Sequence, residues 1–175
     1  MNWLDLSRPF EAVTTDNSIQ THMDTGIVGS APPIAEFIRP GILLDVRAQA
    51  ETGSIGPAEL DLSSITDGCA VVFRTGWERY FGNAKYNACP DIEYELVDAL
   101  IDRGAKLLMV DSPGVYGGAR SDRHSQMDLH IVARGSIAVE QLCNVDRLPE
   151  TFTLYCFPLN VTGANWLPAR VVASW

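Results

Sequence analysis

Three short apolar runs constrain this chain more than any other feature: Ile42-Leu43-Leu44-Asp45-Val46, Ala70-Val71-Val72-Phe73-Arg74 and Leu107-Leu108-Met109-Val110-Asp111. A strand that is apolar on successive residues has no solvent face, so it has to be covered on both sides. Between the second and third runs, residues 91–101 place apolar side chains at three- and four-residue steps ahead of Gly104. That spacing predicts an amphipathic helix with a glycine near its end, and strand-helix-strand is the expected local unit. Ser136-Ile137-Ala138-Val139-Glu140, Phe152-Thr153-Leu154-Tyr155-Cys156-Phe157 and Ala169-Arg170-Val171-Val172-Ala173 read as further strands. With strands outnumbering helices, the expectation is an α/β fold, one domain over residues 1–175 with a mixed β-sheet, rather than a regularly alternating doubly wound sheet. The segments around Pro32-Pro33, Pro40-Gly41 and Gly114 to Gly118 read as loops.

Composition narrows the partners. A length of 175 residues with 46% hydrophobic content suffices for one sizeable core. The net charge of −9 repels a nucleic-acid backbone or an anionic membrane surface, which leaves a small molecule or another protein as the expected partner. No stretch reaches the roughly 20 apolar residues of a membrane span, and Met1-Asn2-Trp3-Leu4-Asp5 lacks the pattern of a signal peptide, so a cytoplasmic setting is expected. The cysteines Cys69, Cys89, Cys143 and Cys156 form no CxxC pair, and disulfides are not expected.

The chemistry concentrates in two distant clusters. One is Gln20-Thr21-His22-Met23-Asp24-Thr25; the other is Asp128-Leu129-His130 with Glu140-Gln141-Leu142. Separated groups of imidazoles and carboxylates are what a metal-dependent hydrolase brings together by folding. On an extended segment His22 and Asp24 point the same way, as two ligands of one ion should. The competing reading is a solvent-facing pair in a turn. Asp128 and His130 alternate similarly, so either is a candidate to reach the site. Glu140 follows an apolar run, where a buried carboxylate needs a partner. His124 stands among Arg120, Ser121, Asp122, Arg123 and Ser125 and reads as part of a solvated loop, with a role at the site as the lesser alternative. Asp111 ends an apolar strand, a place where α/β folds put active groups, although capping a turn is the commoner use. Arg74-Thr75-Gly76-Trp77 reads as a structural strand exit. Gly114-Val115-Tyr116-Gly117-Gly118 is followed by no phosphate-binding lysine or GxGxxG, which argues against nucleotide binding. His22, His124 and His130 are the only histidines, and no Ser-His-Asp or Cys-His set is legible.

Taken in order, the short motifs resemble the cyclase family that includes bacterial kynurenine formamidase and isatin-hydrolase-like enzymes. The resemblance is carried by Asp5-Leu6-Ser7, Thr21-His22-Met23-Asp24, Leu44-Asp45-Val46, Phe73-Arg74-Thr75-Gly76-Trp77, Val110-Asp111-Ser112-Pro113 and Val139-Glu140-Gln141-Leu142. It continues through Asn144-Val145-Asp146-Arg147-Leu148-Pro149, Phe157-Pro158-Leu159, Gly163-Ala164 and Pro168-Ala169-Arg170. It implies a swivelling β/β/α fold, a divalent metal site and hydrolysis of a small amide, formamide or lactam, in a homodimer or higher homo-oligomer. The family's early motif, His-x-Gly-Thr-His-x-Asp-x-Pro-x-His, implies His22 and Asp24 as metal ligands. Ser18, Gln20, Gly26 and Val28 stand where the family has histidine, glycine, proline and the proton-transferring histidine, so the general acid/base is unassigned. The family's later pair, a histidine followed twelve residues on by a glutamate, implies Asp128 and Glu140. One nitrogen and three carboxylates are a hard set that favours Mn²⁺, Mg²⁺ or Ca²⁺ over Zn²⁺. The rival expectation is a homologue that has kept the fold, lost catalysis, and binds a ligand or a protein partner.

Overall fold

The computed structural model describes residues 1–9, 21–24, 33–58, 60–118, 121–161, 164 and 166–175. Its strands are β1 (Trp3–Asp5), β2 (His22–Asp24), β3 (Ile38–Asp45), β4 (Ser54–Ile55), β5 (Ala70–Arg74), β6 (Asp91–Ile92), β7 (Leu107–Val110), β8 (Ile137–Glu140), β9 (Thr151–Pro158) and β10 (Trp166–Ser174). The α-helices are α1 (Arg47–Ala50), α2 (Tyr94–Asp102) and α3 (Asp122–Ala133).

The apolar runs form the middle of an eight-stranded mixed sheet in the order β1-β10-β2-β8-β7-β5-β3-β9. Strands β3, β5, β7 and β8 are mutually parallel, while β2, β9 and β10 pair antiparallel. β9 pairs with β10 as well as with β3, so the sheet closes on itself into a barrel. Side-chain alternation then sorts the core into two layers. Ala70, Val72, Leu107, Met109 and Val139 point into the barrel with Met23, Leu154, Cys156 and Val171. Val71, Phe73, Leu108, Val110 and Ala138 point outward, where Leu96, Val97 and Leu100 of α2 and Met127 and Ile131 of α3 cover them. This two-sided burial explains why β5 and β7 read as unbroken apolar runs.

The expected α/β fold with a mixed sheet is the one observed, with three local corrections. Asp91 and Ile92, at the start of the expected helix, form β6 instead, and α2 begins at Tyr94. Pro40-Gly41 lies inside β3 rather than in a loop. A side chain at Gly41 would overlap the Phe152 ring of β9, so the absence of a Cβ lets the two strands approach. The segment holding His124 is not a solvated loop but the first turns of α3. The Ser121 hydroxyl accepts from the His124 N–H at 3.1 Å and caps the helix, and its buried positions are Met127, Asp128 and Ile131. The polar run at its start hid the periodicity. All four cysteines are free thiols, and among the described residues no helix is long and apolar enough to cross a membrane.

Phe73, fully buried between β5 and the helices, tests the outer core layer. Phe73→Ala should cost about 3–5 kcal/mol, read as a lower urea midpoint with an unchanged denaturant slope.

Candidate metal centre

The register of β2 against β8 builds the site. His22 lies directly opposite Glu140, and Met23 opposite Val139. Met23 and Val139 fill the barrel interior, so the period of two turns His22, Asp24 and Glu140 onto the outer face. Helix α3 crosses that face with His124 and Asp128 one turn apart, on the same stripe as Met127 and Ile131. Five donors from three elements therefore converge. The nearest oxygen of Glu140, Oε2, lies 3.4 Å from His22 Nε2 and 3.5 Å from His124 Nε2, and His124 Nε2 lies 3.2 Å from Asp128 Oδ2. One ligand atom each from Asp24, His124 and Asp128 lies within 4.8 Å of the other two. The Val115 N–H holds the other Glu140 oxygen, Oε1, at 3.2 Å. The Trp166 ring walls one side, 5.1 Å from that of His22.

The environment is dry. Glu140 is 0% exposed, and His22 and Asp128 are each 4% exposed. Burial pushes the Asp128 carboxyl up to about 9, and the negative charges of Glu140 and Asp24 add to the effect. Asp128 Oδ1, Glu140 Oε2 and His124 Nδ1 are buried with no hydrogen-bond partner. The imidazole contacts of Glu140 Oε2 are near enough for electrostatic attraction but do not make aligned hydrogen bonds. Buried acids without such partners are costly, and a cation among them removes the cost. The donor set fits a divalent ion with mixed nitrogen and oxygen ligation.

His22, Asp24, Asp128 and Glu140, the residues proposed from the sequence, are brought together. His130 is not. It lies 200° around α3 from Asp128 in an ideal helix, and its Nε2 sits 2.7 Å from Asp98 Oδ1 on α2, 5.0 Å between rings from Tyr94. The alternation that suggested a shared face for Asp128 and His130 applies to strands and not to helices. In place of His130 the helix supplies His124, which changes the expected set from one imidazole with three carboxylates to two imidazoles with three carboxylates. The signal was present in the sequence, since His124, Met127, Asp128 and Ile131 follow Ser121 at helical spacing. Ser18, Gln20, Thr25, Gly26 and Val28 lie outside the described residues.

Two other candidates are structural. Asp111 is fully buried and accepts from the Thr75 N–H and hydroxyl, fastening the exit of β5. Arg74 donates to the carbonyls of Val145, Asp146 and Leu148 and to Asp45.

Asp128 gives the ion-free protein a measurable pH dependence. Its folded pKa lies above the ordinary aspartate value of 3.8, so the unfolded chain binds fewer protons between the two values. Stability is then greatest below the unfolded pKa and falls as pH rises toward 9. Chemical denaturation in chelator across that range should show the decline, at no more than about 1.4 kcal/mol per pH unit from this group. Asp128→Asn should flatten it, and saturating Mn²⁺ should abolish it by favouring the ionised carboxylate.

Solved structures share this architecture. Isatin hydrolase A from Labrenzia aggregata bound to benzyl benzoate aligns over 98% of this chain and 93% of its own, with a TM-score of 0.79 and 19% identity. A predicted metal-dependent hydrolase from Bacillus stearothermophilus aligns over 98% of this chain and 97% of its own, with a TM-score of 0.75 and 17% identity. A potential metal-dependent hydrolase with cyclase activity aligns over 98% and 96%, with a TM-score of 0.76 and 20% identity. Among curated proteins none matches the sequence. The profile of the family described as "Putative cyclase" matches residues 4–115, a span that contains His22 and Asp24 and stops short of His124, Asp128 and Glu140. That match covers well over half of the sequence, and the chain belongs to this family.

Proposed function

We propose that the protein is a divalent-metal-dependent hydrolase that cleaves the carbon–nitrogen bond of a small amide, formamide or lactam. The observation that carries this reading is the convergence of Asp24, His124 and Asp128 within 4.8 Å of one another beside His22 and Glu140. The buried and unpartnered oxygens Asp128 Oδ1 and Glu140 Oε2 are otherwise hard to reconcile with burial.

His22, Asp24, His124, Asp128 and Glu140 are the residues that would hold the ion. Two imidazoles beside three carboxylates suit Mn²⁺ or Zn²⁺ better than Ca²⁺ or Mg²⁺. When bound, such an ion supplies Lewis acidity, lowering the pKa of water and polarising the substrate carbonyl. Asp24 and His22, fixed on one strand, set the geometry from the sheet side, and His124 sets it from the helix side. Glu140, with Oε1 occupied by the Val115 N–H, offers Oε2. Asp128, 3.2 Å from His124, keeps a proton to high pH in the ion-free site. It would give up that proton on taking the ion, so the general acid/base, the role left open by Val28, stays unassigned. The Trp166 ring beside His22 gives a flat substrate an apolar surface. The likeness to isatin hydrolase A makes isatin the first substrate to try, and the family resemblance makes N-formylkynurenine the second.

A second reading, a fold-preserving homologue without catalysis, is favoured by Ser18 and Val28 at positions where the family has histidine. Both readings are separated by one set of measurements. Elemental analysis should find about one or two divalent ions per chain. The protein should turn over isatin, N-formylkynurenine or a simple lactam, and Asp24→Asn, His124→Ala and Glu140→Gln should each lower kcat/KM about 100-fold or more. His130→Ala should leave it within about twofold, because His130 pairs with Asp98 on α2, away from the site. An ion-loaded protein inactive on all of these substrates, in which Ser18→His with Val28→His creates turnover, would establish the non-catalytic reading.

Self-association belongs to the same proposal. Trp3 on β1, Ile38 on β3 and Phe157 on β9 lie exposed around Tyr155, whose ring is 5.5 Å from that of Trp3 and 6.5 Å from that of Phe157 and whose register partner is Ile38, and apolar groups clustered on one surface favour an interface. Light scattering at micromolar concentration should give a dimer or larger mass, and a monomer would contradict it.

A further inference from the structure

The glycine-rich segment 112–118 lies between β7 and α3 and is not accounted for by phosphate binding. We propose that it is the positioning element of the metal centre, with Gly114 setting the plane of the His124 imidazole and the Val115 N–H selecting the Glu140 oxygen that faces it. The inference rests on the reading of His124 and Glu140 as ligands.

Metal-ligating histidines are generally oriented by a hydrogen bond from the second ring nitrogen to an acceptor. His124 has no such bond, because its Nδ1 is buried without a partner. What lies against that side of the ring is Gly114, where an added Cβ would overlap Nδ1 and come within 2.8 Å of Cε1. The ring is therefore located by contact with a bare Cα. One residue later the Val115 N–H donates to Glu140 Oε1 at 3.2 Å, leaving Oε2 toward the two imidazoles. Two consecutive residues of one loop thus locate a ligand from the helix and a ligand from the sheet.

The loop is itself pinned at several points. The Ser112 hydroxyl donates to Gly114 O at 2.9 Å, and Ser112 O accepts from the Gln141 N–H at 3.0 Å, next to Glu140. Val115 O accepts from the Ile92 N–H at 2.9 Å, and the Gly117 N–H donates to Asp91 Oδ1 at 2.8 Å, both on β6. The Cys89 thiol donates to Gly117 O at 3.4 Å. Burial pushes that thiol up to about 12, so it stays protonated and serves as a donor. This rigidity is what positioning by contact requires, since a mobile backbone would let the ring turn.

The test uses Mn²⁺ affinity of the full chain by calorimetry, with thermal stability of the ion-free protein as a parallel readout. Gly114→Ala should weaken Mn²⁺ binding about 10-fold or more. In a His124→Ala background, where the ring is gone, the same substitution should change Mn²⁺ affinity by less than about twofold. The new methyl also meets Gly117 O at 2.8 Å, so a loss of ion-free stability should appear in both backgrounds and serves to separate packing from ligand placement. Ser112→Ala, which removes only the hydroxyl contact to Gly114 O, should weaken binding about threefold or more with a folded chain throughout. Equal effects of Gly114→Ala with and without His124, or wild-type affinity in both Gly114→Ala and Ser112→Ala, overturn the inference. If the wild-type chain binds Mn²⁺, His124→Ala weakens that binding and the loop variants do not, the metal centre stands and the positioning role alone fails. If the wild-type chain binds no divalent ion, both fall together.

Discussion

The cross-strand pairing of His22 with Glu140 is the constraint on which the site depends. It places a carboxylate with no solvent exposure beside an imidazole on the outer face of the barrel, and α3 then closes Asp128 and His124 over it. In an interior of low dielectric such a group of acids either holds protons or holds a cation. The raised pKa of Asp128 is the protonated answer, and the five converging donors supply the other. The barrel serves this arrangement by fixing register. A slip of one residue between β2 and β8 would send His22, Asp24 and Glu140 into the apolar interior and bring Met23 and Val139 out.

Much of the fold was legible because its signals are local. The doubly buried strands β5 and β7 announce themselves as apolar runs, and α2 shows its stripe. The pairings of β9 with β3 and of β10 with β1 and β2 join opposite ends of the chain, and no local pattern records them. α3 was missed because it begins Asp122-Arg123-His124-Ser125-Gln126, a polar run whose helical spacing emerges only when Met127 and Ile131 are counted with His124 and Asp128. Only Ser121 marks its start.

The same contrast applies to the site. His22, Asp24, Asp128 and Glu140 were named through the order of family motifs, and the fold brings these four together. His124 reads as loop because polar residues surround it, and His130 shares a face with Asp128 only if the segment is extended; on α3 both readings change. The consequence is chemical. Asp128 stands where the family has histidine, and His124, one helical turn earlier, supplies an imidazole to the same space. Residues four apart on a helix share a face, so backbone geometry lets either position carry the nitrogen. The family profile ends at residue 115, before α3 and β8.

Anomalous diffraction from crystals of the Mn²⁺-loaded protein tests the central claim most directly. The account predicts a peak between β2, β8 and α3, with Asp24, Asp128 and the His124 imidazole at about 2.0–2.3 Å and with His22 and Glu140 completing the shell or holding a neighbouring second ion. A peak at any other place, or none at saturating Mn²⁺, would contradict it.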